Sequence, residues 1–267
     1  MKCTNRVLHL NGSSFDLVQF GRGKKHLVMI PGLGDGIITV KNKALLGLAL
    51  YRAYAERYTV TLISRKNELE PDASIESMAR DQADAMRALG IGRAHVIGVS
   101  QGGMIAQHLA ADAPELVNRL VLVVTVPAAN ALLAQNVHRW LRLSERREFS
   151  ALMADINEQA HPERYLKRMR WAYPLLGLSA HGADAQRFAI QARACLGHDA
   201  RGRLAHISAP TLILGGAEDK TLGPTGSRLL ANAIPGSRLL IYWGQGHALY
   251  QDEKAFHADV LAFLEEE

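Results

Sequence analysis

The sequence predicts an α/β fold in which a mainly parallel sheet is flanked by helices and interrupted once by a helical insertion. Three observations predict it. Short apolar runs alternate with amphipathic stretches along most of the chain, the rhythm of strand–helix–strand crossovers. These runs lack polar alternation, as strands covered on both faces do. Between Pro127 and Asp199 the rhythm stops and only helical pattern is found; it resumes at Pro210.

The elements follow in order. Arg6–Leu10 and Phe15–Phe20 are β-rich runs, and Asn11-Gly12 between them signals a hairpin, because both residues tolerate positive φ. His26–Ile30 is a short strand stopped by Pro31-Gly32. Lys43–Arg57 reads as a helix and Tyr58–Ile63 as a strand. From Ser74 to Leu89, apolar residues recur at helical spacing, with Ser74 as cap and Gly90 as stop. Ala94–Val99 reads as a buried strand, Gln101–Asp112 as a helix and Arg119–Val124 as a strand. After the insertion come strand Thr211–Leu214, a helix near Thr225–Ala233, strand Arg238–Tyr242 and a last helix from about Gln251 to Glu265.

This organisation divides the chain into a core of residues 1–126 and 200–267 and an inserted helical cap of residues 127–199. Such an insertion is expected over the carboxyl ends of the strands, where ligands of open α/β sheets bind. A chain of 267 residues is long enough to bury a large core without disulfides or metals.

Composition narrows the function classes. The formal charge of +5 is mildly basic, but the excess concentrates between His138 and Arg170, without the interleaved aromatics or motifs of nucleic-acid binding. Cys3 and Cys195 stand far apart, so neither a disulfide framework nor a zinc site is expected. The opening residues lack a basic segment followed by an apolar stretch and a cleavage site. No apolar run approaches the ~18 residues of a membrane span. The expectation is a cytoplasmic protein that acts on a small molecule, without nucleic-acid partners or stable membrane insertion; a homodimer is compatible with the sequence.

The motif that carries chemistry is Gly98-Val99-Ser100-Gln101-Gly102-Gly103. It satisfies G-x-S-x-G with a strand directly before it and a helix directly after it. That context is what the nucleophile elbow requires, because the serine must project above the sheet from a strained turn. Gly98 and Gly102 remove side chains that would clash there. A serine hydroxyl needs a base, and the base needs an orienting acid. Among eleven histidines, His247 stands out in Gly244-Gln245-Gly246-His247, directly after a strand. Asp219 follows strand Thr211–Leu214 in Gly215-Gly216-Ala217-Glu218-Asp219. Glu218 is its neighbouring competitor, and Asp199 and Asp252 flank their strands less well. His206 and His257 are not placed to reach Ser100, and His108, inside the helix after the elbow, reads as a packing or surface residue. His138, His161, His181 and His198 fall in or beside the insertion as minor candidates for substrate contact.

With these residues the chain resembles the α/β-hydrolase superfamily from the opening hairpin to the final helix. The resemblance implies about eight strands wrapped by helices, with the cap inserted after the sixth. It implies Ser100, Asp219 and His247 as a catalytic triad in the order the fold uses. It also implies an oxyanion hole formed by the backbone N–H groups of Leu33 and Gln101. Pro31 stands where the family commonly has His. A carboxylate beside an oxyanion would disfavour it, so Asp35 is expected to point away or to cap the following helix.

These expectations converge on a serine hydrolase that cleaves an ester or related acyl bond through an acyl-enzyme on Ser100. No metal and no organic cofactor is expected. The rival readings are hydrolysis of a carbon–carbon bond in a β-diketone-type substrate and a non-catalytic ligand-binding protein on the same scaffold. The basic residues of the insertion (His138, Arg139, Arg142, Arg146, Arg147, then Arg164, Lys167, Arg168 and Arg170) are expected to form a solvated face. The sharper alternative turns one arginine inward onto a substrate carboxylate.

Overall fold

The computed structural model describes residues 3–173 and 183–266; His181 lies outside them. Eight strands form one sheet: β1 (Cys3–Leu10), β2 (Ser13–Gly21), β3 (Lys25–Ile30), β4 (Tyr58–Lys66), β5 (Ala94–Val99), β6 (Val117–Val123), β7 (Thr211–Gly216) and β8 (Arg238–Tyr242). Their order is β1-β2-β4-β3-β5-β6-β7-β8. The β1–β2 and β2–β4 pairs are antiparallel, and every pair from β4–β3 to β7–β8 is parallel.

Neighbouring residues of one strand enter opposite cores, which explains the unbroken apolar runs. Val28, Ile30, Val96, Leu120, Leu122 and Ile213 pack on one side with the helices Ile75–Ala88 and Gln101–Asp112. Leu27, Met29, Ile97, Val99, Val121, Val123, Leu212 and Leu214 pack on the other with Tyr54, Phe256, Val260 and Phe263. Each fully buried Leu, Ile or Val side chain contributes ~1.5–3 kcal/mol, so a one-residue slip in register would be costly on both faces.

Between β6 and β7 lie the helices Ala131–Glu145, Phe149–Ala160, Glu163–Met169 and Ala185–Leu196. An antiparallel bridge between Ala128 and Asp199 brings the two ends of this segment side by side.

Several elements differ from expectation. The stretch Lys43–Arg57 divides into Ala44–Leu50 and Arg52–Ala55, with Tyr51 outside helical geometry. Leu45, Leu46 and Leu50 are exposed, so the leucines there do not form one buried face. The last helix divides into Leu249–Asp252 and Phe256–Leu264. Glu253 makes the break: one carboxylate oxygen accepts the Ala255 N–H, and the other accepts from Gln245 Nε2. Strand β4 runs on to Lys66, past the apolar run. Among the described residues no helix is long and apolar enough to cross a membrane.

Candidate active site

Ser100 sits between β5 and the helix Gln101–Asp112 with φ 54 and ψ −118, a region that costs a non-glycine residue about 1–3 kcal/mol. The surroundings hold it there. Its N–H donates to Val123 O at 2.9 Å, and its carbonyl accepts from Thr125 Oγ1 at 2.8 Å. The two glycines of the motif are required by close approach. A Cβ on Gly98 would lie 2.5 Å from Gly102 O, and one on Gly102 would lie 2.0 Å from Ile30 O.

His247 reaches Ser100 from the loop after β8. Its Nε2 lies 2.9 Å from Ser100 Oγ, and its Nδ1 lies 2.8 Å from Asp219 Oδ2. An ionised carboxylate only accepts, so Nδ1 carries the proton and Nε2 is free to accept from the serine hydroxyl. Asp219, after β7, is fixed by two donors on its other oxygen: Thr221 N–H at 2.8 Å and Leu222 N–H at 2.9 Å. The acid and base loops are interlocked, since a Cβ on Gly216 would lie 2.4 Å from Gly246 O. Asp219 and His247 are both buried.

The inserted segment braces both loops. Asn136 Nδ2 donates to the carbonyls of Lys220 and Thr221. Ala248 N–H donates to Ala160 O, and His161 Nδ1 pairs with Asp252 Oδ2 at 2.8 Å.

Leu33 follows β3 in the loop that passes over the elbow; a Cβ on Gly32 would lie 3.3 Å from Ser100 Cβ. Gln101 opens the helix after Ser100. Among the described residues, neither the Leu33 nor the Gln101 N–H has a hydrogen-bond partner, which leaves both free to donate to a ligand. Asp35 is buried and turned onto two arginines: Oδ2 lies 2.7 Å from Arg187 and 3.5 Å from Arg65. Burial would raise its pKa, but the two guanidinium groups outweigh that and hold it below the ordinary carboxylate value.

A cavity of about 430 Å³ opens over Ser100 and His247. Leu33, Val40, Leu50, Val99, Met104 and Leu222 line it from the core, and Leu133, Val137, Trp140 and Ile156 from the inserted helices. The structure thus brings together Ser100, Asp219, His247, Leu33 and Gln101. It does not bring the insertion's arginines to the cavity. His138, Arg142, Arg146, Arg147, Arg164, Lys167, Arg168 and Arg170 are exposed, and Arg139 pairs with Asp155. Of the lysines and arginines described, Lys43 alone lines it. Glu218, Asp199 and Asp252 are not the carboxylates on His247. Among the described residues no group of three or more His, Cys, Asp and Glu side chains is placed to hold a metal ion.

Sequence reasoning missed Arg65, Arg187 and Gln191. Arg65 and Arg187 are charged residues beside or beyond apolar runs, which read as surface positions. In sequence, Lys43 reads only as the start of a helix.

A family profile described as the alpha/beta hydrolase fold matches residues 15–254. The chain is 35% identical over 190 residues to a Klebsiella pneumoniae protein named carbamate hydrolase RutD, covering 67% of this chain and 68% of that one. It is 29% identical over 277 residues to polyketide synthase ThaQ of Burkholderia thailandensis; the match covers 98% of this chain but spans only 13% of that relative. Among solved structures, the enol-lactonase from Burkholderia xenovorans LB400 superposes with a TM-score of 0.83 at 20% identity, over 98% of this chain and 100% of that one. The chain belongs to the α/β-hydrolase family and is an enzyme of that family.

Proposed function

We propose that this member of the α/β-hydrolase family is a serine hydrolase that cleaves an ester or related acyl bond of a small molecule. The observation that carries the reading is the aligned series Ser100 Oγ, His247 and Asp219, with contacts of 2.9 and 2.8 Å.

The chemistry follows from that alignment. His247 Nε2 takes the Ser100 proton as Oγ attacks the carbonyl carbon. The tetrahedral oxygen becomes negative and accepts from the N–H groups of Leu33 and Gln101; losing one such donor typically costs ~3 kcal/mol. Asp219 keeps His247 in the accepting tautomer and stabilises its charged form. Protonated His247 gives its proton to the leaving group. Water, deprotonated by the same ring, then releases the acid and restores Ser100.

Residues 127–199 act in this reading as the cap that closes the cavity. The apolar lining suits a substrate with a hydrocarbon portion. The likeness to a relative named carbamate hydrolase supports including carbamates, whose carbonyl Ser100 could attack in the same way. The carbon–carbon bond reading gains nothing from the insertion's arginines, which stay outside the cavity. A panel of esters, thioesters and carbamates with wild type and Ser100→Ala tests the proposal. Turnover of one class, lost in Ser100→Ala, is expected. Absence of turnover together with no fluorophosphonate labelling of Ser100 would overturn it and favour a binding protein.

A further inference from the structure

Arg65 is the penultimate residue of β4, with 1% of its surface exposed. Four of its five guanidinium hydrogens have acceptors. Nε donates to Gln191 Oε1 at 3.0 Å, and one terminal nitrogen donates to Pro31 O at 2.6 Å. The other donates to Gly32 O at 2.6 Å and to Gln101 Oε1 at 2.8 Å. Asp35 supplies the countercharge and also accepts the Arg65 backbone N–H. Arg187, from the helix Ala185–Leu196, shares that carboxylate and donates to Arg65 O at 3.0 Å.

A buried guanidinium is tolerated only when its hydrogens are used and its charge is met. Those needs do not dictate which acceptors serve. Here three of the four belong to the two segments that carry the free N–H groups beside Ser100. A trans peptide is planar, so its C=O and N–H point in opposite directions. Holding Gly32 O on Arg65 therefore turns the Leu33 N–H away from Arg65. Gln101 is held from both ends of its amide, because Nε2 donates to Gln191 O at 2.8 Å. That anchors the first turn of the helix whose first N–H is the second donor. Two cations around one carboxylate also leave a net positive charge behind the donors.

We propose that Arg65 is a positioning residue that sets the oxyanion hole, gripping the Pro31–Leu33 loop and Gln101 at once. Arg187 and Gln191 couple that grip to the inserted segment. The inference rests on the acyl-transfer reading above. A lysine cannot replace the group, because one ammonium cannot span acceptors arranged around a planar fork.

The test compares wild type with Arg65→Lys and Arg65→Met on an ester the wild type turns over. The expected result is a kcat loss of roughly 10²–10³-fold with KM changed less than about three-fold. Affinity for a boronic acid, which forms a tetrahedral adduct on Ser100, should fall in parallel. Binding of a non-covalent substrate analogue, measured in the Ser100→Ala background, should not fall. Should either Arg65 variant fail to fold, Gln101→Leu keeps the ion network and should still lower kcat about ten-fold on the same donor argument. A kcat within two-fold of wild type in the folded variants overturns the proposal, as does an equal loss of analogue binding. Failure of wild type to turn over any ester, thioester or carbamate, together with no fluorophosphonate labelling, would instead sink the acyl-transfer reading.

Discussion

Asp219 faces His247 through Oδ2 alone, at 2.8 Å, because its Oδ1 is already occupied by the N–H groups of Thr221 and Leu222. This fixes what an amide would do there. In Asp219→Asn the two N–H groups still demand an acceptor, so the amide oxygen takes the Oδ1 place and the NH2 faces His247 Nδ1. The ring must then carry its proton on Nε2 and cannot accept from Ser100. Asp219→Asn is expected to lose about 10⁴-fold in kcat with little change in KM or unfolding midpoint. Steady-state kinetics checks this; a loss below ten-fold would mean that Asp219 does not set the tautomer.

Gly102 is the tightest point of the elbow. A Cβ there would meet Ile30 O at 2.0 Å and Pro31 O at 2.6 Å. Both are backbone atoms on the strand and loop that lead to the Leu33 N–H, so relief requires the loop to move. Gly102→Ala is expected to destabilise by about 1–3 kcal/mol or more and to abolish turnover. Urea unfolding read beside activity tests it; wild-type stability would show that the loop yields freely. Gly90, with no atom within 4 Å of an added Cβ, is a contrasting site where only its positive φ opposes substitution.

The sheet was legible because strands buried on both faces leave unbroken apolar runs, and Leu27–Ile30 and Leu120–Val123 feed both cores. Ser100, Asp219 and His247 were legible because each occupies the loop after a strand, a position that sequence order exposes. Arg65 was not. Its neighbours Ser64 and Lys66 are polar, and what buries it is Asp35, thirty positions earlier, with Arg187 and Gln191 from the last helix of the insertion. A charge becomes a core residue only when distant partners meet it, and single-sequence periodicity carries no record of them. His138 and the arginines and lysine from Arg139 to Arg170 were legible as a solvated face: they are exposed except Arg139, which pairs with Asp155.

Lys43 lines the cavity, and among the described residues it makes no ion pair within 4 Å. Burial lowers its pKa against the pull of the Asp35 carboxylate, so an anion entering the cavity would relieve part of the burial cost. An ester bearing a free carboxylate should therefore bind better than its neutral analogue. Lys43→Met should raise KM for the acidic ester about five-fold, the scale of a partly exposed ion pair, and leave the neutral ester unchanged. Equal effects on both esters would remove Lys43 from recognition.

His95 and His198 link stability to pH independently of the chemistry at Ser100. Burial holds His95 down to about 4, helped by the positive charges of Lys25 and Arg119. Burial likewise holds His198 down to about 4, against its hydrogen bond to Val126 O and with His108 beside it. In the unfolded chain both titrate near the ordinary value of ~6.5. Between about 4 and 6.5 the unfolded state binds protons that the folded state does not, so stability rises with pH across that window. Above it both states are neutral and these residues contribute no slope. The Asp35 carboxylate, held low by Arg65 and Arg187, gives stability that is lost only further down, as pH falls below the usual carboxylate value of ~3.9. Urea midpoints should thus be flat from about pH 8 to 7 and fall steadily from about pH 6.5 to 5. The double variant His95→Gln with His198→Gln keeps an acceptor for Asn118 Nδ2 and a donor for Val126 O and removes the titration, so it should flatten that fall even if its midpoint is lower throughout. An unchanged slope in the double variant would place the acid sensitivity elsewhere.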